Sequence, residues 1–95
     1  MKYYLAGGMK GIEPPEYRKT FALYADMLRL EGHSVFNPAA SNLDGWSDPE
    51  IFAYILAWLC READAIAMIP GYEDSLGAMA ELAVAKRLGK TIRML

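Results

Sequence analysis

Blocks of apolar residues along the chain predict four short strands and three helices. Four short apolar runs are typical of buried strands, and they cover residues 2–6, 34–36, 65–69 and 91–94. Apolar residues at helical spacing predict three helices, which cover residues 15–31, 49–62 and 76–88. Between the second strand and the second helix, residues 39–47 are rich in Gly, Ser, Asn and Asp, a composition typical of a loop.

The order of these elements predicts an α/β fold. Apolar strands that alternate with helices favour a short parallel sheet with helices on both faces, a three-layer arrangement of the Rossmann or flavodoxin type. Right-handed crossovers then favour the strand order 2-1-3-4. With 95 residues, the chain has the length of one domain, so we expect residues 1–95 to share one core.

Two loops are predicted to meet where the strand order reverses, between the first and third strands. In open α/β sheets, ligands bind outside the carboxyl ends of the strands at this point. The first loop is Gly7-Gly8-Met9-Lys10-Gly11, which offers approachable backbone amides and one cation. Glycines after a strand are equally typical of plain turns, so this loop alone does not decide between the two interpretations.

The second loop adds a helix N-terminus to the same place. Asp74 or Ser75 is positioned to cap the third helix, and Gly77 lies in its first turn, which suits a phosphate group. Glu81 follows at the border of the apolar stripe, and we expect its carboxylate to be accessible although partly apolar in its surroundings. Most helical glutamates are simply exposed charges, which is the alternative interpretation of Glu81.

The composition of the chain argues against several other classes of function. The formal net charge of −2 does not favour a nucleic-acid polymer as the partner, and no apolar stretch is long enough to span a bilayer. One cysteine and one histidine, Cys60 and His33, provide neither a disulfide nor a metal-ligand set. His33 is better explained by the end of the first helix than as a catalytic base. We therefore expect a soluble cytoplasmic protein without a metal or cofactor.

Five segments resemble the nucleoside 2-deoxyribosyltransferase-like superfamily over nearly the whole chain. They are Tyr4-Leu5-Ala6-Gly7-Gly8-Met9-Lys10-Gly11, Gly32-His33-Ser34-Val35-Phe36-Asn37-Pro38, Asp64-Ala65-Ile66, Ser75-Leu76-Gly77-Ala78-Met79-Ala80-Glu81-Leu82-Ala83 and Leu88-Gly89-Lys90. The chain looks most like a small branch found in phages and prophages, and beyond that like the deoxynucleoside 5′-monophosphate N-hydrolases. The Ser-x-Gly-x-x-x-Glu element is moderately specific, whereas the Gly-rich loop alone is not.

The resemblance implies cleavage or transfer of the N-glycosidic bond of a deoxynucleoside or its 5′-monophosphate. Glu81 stands at the nucleophile position, where a carboxylate would attack C1′ and form a glycosyl-enzyme intermediate. Ser75 and residues 7–11 match groups that hold the 5′-phosphate, with Lys10 where the hydrolases have an arginine. Separately, Tyr4 and Tyr72 are candidates to stack on the base, although aromatic residues near a small core are more often core residues. Asn37 is a candidate base contact, with a cap of the turn after the second strand as the alternative.

One departure from the family pattern leaves two functions open. The family carries an aspartate that helps to protonate the leaving base, and Leu56 occupies that position here. Loss of a general acid typically costs about 10²–10⁴ in rate. The alternative to an enzyme is therefore a phage-type protein that binds, sequesters or senses a nucleotide or a nucleotide-derived signal. A module for assembly, with a vestigial pocket, is a third interpretation.

The predicted second helix also suggests a partner chain. Residues 51–60 are apolar all round, whereas a helix that covers one face of a sheet needs only one apolar stripe. The chain has no spare segment to cover the second apolar face. We therefore expect a homodimer or larger homo-oligomer in which Trp58 or Tyr54 packs against the partner, with about 1,200 Å² or more buried in total.

Overall fold

The described residues form four strands and three helices that alternate along the chain. The computed structural model describes residues 1–9, 11–41 and 43–95. The strands are β1 (Lys2–Ala6), β2 (Ser34–Phe36), β3 (Ala65–Met68) and β4 (Thr91–Met94), and the helices are α1 (Pro14–Leu30), α2 (Asp48–Arg61) and α3 (Leu76–Arg87). Short 3₁₀ helices lie at Pro38–Ala40 and Tyr72–Asp74. The ends of all seven strands and helices agree with the predicted ones to within one residue.

The strands form one parallel sheet in the order β2-β1-β3-β4. β1 pairs with both β2 and β3, and β3 pairs with β4. The central strands are buried along most of their length, as expected when helices cover both faces of a parallel sheet. The prediction of an α/β fold with this strand order is confirmed. From β1, the chain adds β2 on one side of the sheet and then β3 and β4 on the other, so the direction of strand addition reverses between β1 and β3.

Successive side chains of β1 point to opposite faces of the sheet and join two hydrophobic clusters, one on each face. Tyr3 and Leu5 pack with Phe21 and Leu28 of α1 on one face. Tyr4 points to the opposite face, because successive side chains of a strand alternate, and there it packs against residues of α2 and α3. The helices therefore cover both faces, and Tyr4 lies on the face that carries α3.

Local sequence signals explain where the helices begin and end. The Ser47 hydroxyl accepts a hydrogen bond from the Glu50 amide at 3.3 Å, and the Glu50 carboxylate accepts one from the Ser47 amide at 3.1 Å. This capping box starts α2. Beyond the end of α1, Gly32 adopts φ +93°, a left-handed conformation that favours glycine.

Helix α2 buries one apolar side and leaves part of the other exposed. Ile55 and Leu59 are buried against the sheet. Trp58 stacks on Phe36 with ring centroids 4.6 Å apart, so it packs within its own chain. Tyr54 remains 45% exposed. Among the helices formed by the described residues, none combines the length and apolar character needed to cross a membrane.

Candidate active site

A cleft of about 960 Å³ lies at the carboxyl ends of β1 and β3. Its floor is formed by the residues that follow these two strands, Gly7 to Met9 and Ile69 to Gly71. Helix α1 lines one side, and α2 and the first turns of α3 line the other. The cleft thus occupies the point of strand-order reversal where α/β proteins bind their ligands.

Gly7 and Gly8 bring the first loop close to its neighbours. A Cβ atom added to Gly7 would lie 3.0 Å from Cβ of Ile69 and 3.2 Å from Cζ of Phe21, so a side chain at this position would press on both neighbours. A Cβ atom on Gly8 would lie 3.8 Å from Cβ of Ser75. The structure therefore brings the first loop and the start of α3 together, within reach of one small anion.

Ser75 starts helix α3 and faces this cleft. Its hydroxyl oxygen accepts a hydrogen bond from the Ala78 amide at 3.1 Å, which leaves the hydroxyl proton available as a donor. The amides of Leu76 and Gly77 have no acceptor within the helix, because the first amides of any helix lack one. An anion at this end of α3 would meet backbone amides, one hydroxyl and the positive end of the helix dipole.

Glu81 lies one and a half turns further along α3 and is buried rather than accessible. Its side chain lines the cleft but is only 5% exposed, which corrects the expectation of an accessible carboxylate. The Tyr4 hydroxyl donates a hydrogen bond to Oε2 of Glu81. Within the described residues, no group donates to Oε1, and no fully buried side-chain oxygen lacks a partner. Oε1 is thus the carboxylate oxygen that opens onto the cleft.

Burial changes the acidity of both members of this pair. Removal from water raises the pKa of Glu81 from its ordinary 4.5 to about 7, although the hydrogen bond from Tyr4 acts in the opposite direction. Burial also raises the pKa of Tyr4 far above its ordinary value, and the negative charge of Glu81 raises it further. Tyr4 therefore remains a neutral donor, while Glu81 changes charge near neutral pH.

None of the three candidate base contacts lines the cleft. Tyr4 is fully buried, so it has no surface to offer a base and acts on Glu81 instead. The side chain of Asn37 accepts a hydrogen bond from the Ala39 amide at 3.0 Å and caps a short 3₁₀ helix. Tyr72 is half-buried against the core. Each of these side chains makes a folding contact, so contact with a base stays a prediction that the position of the cleft does not favour.

The remaining predicted residues are placed unevenly around the cleft. Met9, Asp74 and Gly77 line it. Gly11 is exposed with φ +83° and does not line it. The predicted cation, Lys10, lies outside the described residues.

Two sides of the cleft were not predicted from the sequence. Glu16, Tyr17 and Thr20 line it from the first turns of α1, and Phe52 and Ile55 line it from α2. A signal for both was present, because each helix that follows a parallel strand begins at the carboxyl edge of the sheet. Leu56, one residue beyond Ile55, packs against the core instead.

Comparison with known protein families identifies the family of this chain. A family model described as domain of unknown function (DUF4406) matches residues 1–94. The chain belongs to the DUF4406 family. No curated protein and no solved structure matches it significantly. The cleft of this DUF4406 chain must therefore be interpreted from its own chemistry.

That chemistry combines a polar end with a carboxylate of raised pKa. Ser75 and the helix amides form the polar end, and Glu81 lies deeper along the same helix. Within the described residues of this DUF4406 chain, no three His, Cys, Asp or Glu side chains are grouped as a metal ion would require. Such a cleft can hold an anionic or hydroxyl-bearing small molecule and place one of its atoms against Glu81.

Proposed function

We propose that this protein binds a deoxynucleoside or its 5′-monophosphate and cleaves or transfers its N-glycosidic bond, with Glu81 as the nucleophile. The observation that carries the proposal is the buried Glu81 carboxylate, which lies in the same cleft as the start of α3. A raised pKa in a cleft is typical of a residue that acts in chemistry. The sequence resemblance to the nucleoside 2-deoxyribosyltransferase-like superfamily supports the same role.

The Tyr4–Glu81 pair suits nucleophilic attack on a sugar carbon. Tyr4 holds Oε2, so Oε1 remains for C1′ of the sugar. Attack forms a bond between Oε1 and C1′ and breaks the bond between C1′ and the base nitrogen, whose electron pair passes to the base, which then takes a proton from water. Water or a second base then accepts the sugar. Low polarity around the carboxylate strengthens its attraction to the positive charge that develops on the sugar in the transition state.

The polar end of the cleft is the proposed site of the 5′ group. The Ser75 hydroxyl and the first amides of α3 are groups that favour phosphate oxygens. Gly8 leaves the opposite side open, since a Cβ atom there would only just contact Ser75. No cofactor is needed for this reaction.

The alternative is a protein that binds a nucleotide or nucleotide-derived signal without cleaving it. It is favoured by the apolar side of the cleft, where α2 contributes Phe52 and Ile55 and no acid. A neutral base leaves poorly without a proton donor. Binding without base release, at the same cleft, would support this alternative.

A pair of capping serines tests where the ligand binds. Ser75→Ala and Ser47→Ala each remove the N-cap of a helix, which costs about 1 kcal/mol of stability in either case. We expect only Ser75→Ala to weaken deoxynucleoside 5′-monophosphate binding, by about 10- to 100-fold, because it also removes a hydrogen bond to a charged group. Titration calorimetry measures the binding of the 5′-monophosphate to each variant. Equal binding by both variants would place the ligand elsewhere.

We further propose that the chain forms a homodimer through α2, in the cytoplasm of its host cell. Tyr54 is 45% exposed and meets the ring of Trp46, itself 44% exposed, edge-on at 5.6 Å. Together they form an apolar surface on the outer side of the helix. Trp58 is not part of the proposed dimer interface, because its ring stacks on Phe36 of the same chain.

Sedimentation at micromolar concentration tests the dimer. We expect a dimer mass for the parent protein and a monomer mass for Tyr54→Arg, because a cation would be forced against the partner's apolar surface. Leu23→Arg is the matched control, since Leu23 is 62% exposed on α1. A monomer mass for the parent protein would contradict the proposal.

A further inference from the structure

The ionisable side chains that line the cleft are acidic, within the described part of the chain. Glu16, Asp74 and Glu81 line it, and no arginine, lysine or histidine of residues 1–9, 11–41 and 43–95 does so. Exposed carboxylates carry negative charge at neutral pH, and Glu16 and Asp74 are exposed. Among the described residues, the charged side chains that line the cleft are therefore negative and attract a cation.

The same lining offers little to protonate a departing base. On the α2 side it is Phe52 and Ile55, which carry no proton to give. Glu81 cannot donate a proton in the step in which Oε1 attacks the sugar. Glu16 and Asp74 are exposed, and exposed carboxylates are ionised at neutral pH and have no proton to give. The remaining polar side chains of the lining are the hydroxyls of Tyr17, Thr20 and Ser75, which are weak acids.

We infer that the cleft selects nucleosides whose base carries a fixed positive charge, such as an N-alkylated purine or a pyridinium. This inference rests on the proposed cleavage and names its substrate class. Acidic groups around the cleft attract the cation, and the apolar side formed by Phe52 and Ile55 suits a flat ring. Glu81, only 5% exposed with Oε1 open to the cleft, supplies the reacting atom.

A cationic base leaves without a proton donor. The bond between Oε1 and C1′ forms as the bond between C1′ and the ring nitrogen breaks. The electron pair of the broken bond passes to the ring and cancels its positive charge, so the base departs neutral. Water then cleaves the sugar ester, which yields the free sugar, the Glu81 carboxylate and one proton released to solvent.

Two matched nucleosides test the inference on the parent protein. 2′-Deoxyguanosine and N7-methyl-2′-deoxyguanosine share a sugar and a ring system, but only the methylated one carries a fixed positive charge. After subtraction of spontaneous depurination, we expect kcat/KM to be at least about 100-fold higher for the methylated nucleoside, the usual value of a general acid. Equal kcat/KM for the two would overturn the inference.

Four variants separate charge selection from the intrinsic reactivity of the methylated base. Glu16→Gln and Asp74→Asn remove acids that line the cleft, and each is expected to reduce the preference for the methylated nucleoside about two- to fivefold. Glu13→Gln and Glu73→Gln remove exposed acids close by in sequence that do not line the cleft, and they should retain the full preference. A preference unaltered in all four variants would contradict selection by charge.

The outcomes also distinguish this inference from the proposed function. Base release from deoxyguanosine 5′-monophosphate that depends on Glu81, without preference for the methylated nucleoside, would contradict the inference and leave the proposed function standing. Absence of base release from these three substrates and from the other three deoxynucleoside 5′-monophosphates would contradict both.

Discussion

Glu81→Gln is expected to make the protein more stable at pH 8, by about 2–3 kcal/mol of unfolding free energy. The difference between a pKa of 4.5 in the unfolded chain and about 7 in the folded one corresponds to about 3 kcal/mol. The substituted amide would carry no charge to desolvate, and its carbonyl oxygen could still accept the hydrogen bond from Tyr4. For a domain of this size, the melting temperature should rise by about 10 °C.

The sign of this effect follows from proton binding. Between pH 4.5 and about 7 the folded protein retains a proton on Glu81 that the unfolded chain has lost. The Glu81 contribution to stability is therefore full below pH 4.5, falls as pH rises through this window, and is lost above it. The advantage of Glu81→Gln should accordingly be largest above pH 7 and small near pH 4.5.

Thermal or urea unfolding of both proteins at several pH values measures this prediction. Glu73→Gln is the control, since Glu73 is exposed and its replacement should leave stability nearly unchanged at each pH. A Glu81→Gln variant that is less stable than the parent at pH 8 would show that the carboxylate is stabilising. It would contradict the conclusion that burial of the charged Glu81 carboxylate destabilises the fold.

The same substitution is expected to reduce base release by about 10³-fold or more, because an amide cannot act as the nucleophile. In the parent protein, kcat/KM should rise with pH through about 7 as Glu81 ionises. A variant that gains stability while it loses activity is typical of a residue retained for chemistry. Chromatography of the released base measures the rates.

Glu73→Gln is again the matched control and should retain parent activity. Undiminished base release by Glu81→Gln would mean that another group attacks the sugar. Release that declines as pH rises from about 6 to about 8, across the Glu81 titration, would mean that the protonated form of Glu81 is the active one, so that it would act as an acid.

The fold was predictable because local and global signals agree. Short apolar strands, the Ser47 capping box and glycines at helix ends each have one simple structural solution. The parallel order 2-1-3-4 then follows from right-handed crossovers. The meeting of the first loop with Ser75 was a consequence of that order rather than of either loop's composition.

The details of the site were harder to predict because they depend on which face of the sheet a side chain occupies. Tyr3 and Tyr4 are neighbours with the same ring, yet only Tyr4 lies on the α3 face and reaches Glu81. Gly77 and Ala78, which precede Glu81 by one helical turn, are small and therefore favoured an accessible carboxylate. In the structure, the packing of α3 on the sheet buries it.

The polar residue Asn37 shows the other limit of sequence analysis. Its side chain satisfies a local backbone amide, which is a common use of asparagine after a strand. Residue type alone cannot distinguish such a cap from a ligand contact. Conversely, Glu16 of α1 lines the cleft although its residue type gives no such signal, since a charge in the first turn of a helix is also explained by the helix dipole.

Trapping of the covalent intermediate tests the central claim most directly. The parent protein would be mixed with a deoxynucleoside 5′-monophosphate, quenched rapidly in acid, digested and analysed by mass spectrometry. We predict that the peptide containing Glu81 gains the mass of the deoxyribose 5-phosphate group, and that Glu81→Gln shows no such gain. Base released by the parent protein with no sugar attached to Glu81, or with the sugar attached to another residue, would contradict the claim that Glu81 is the nucleophile.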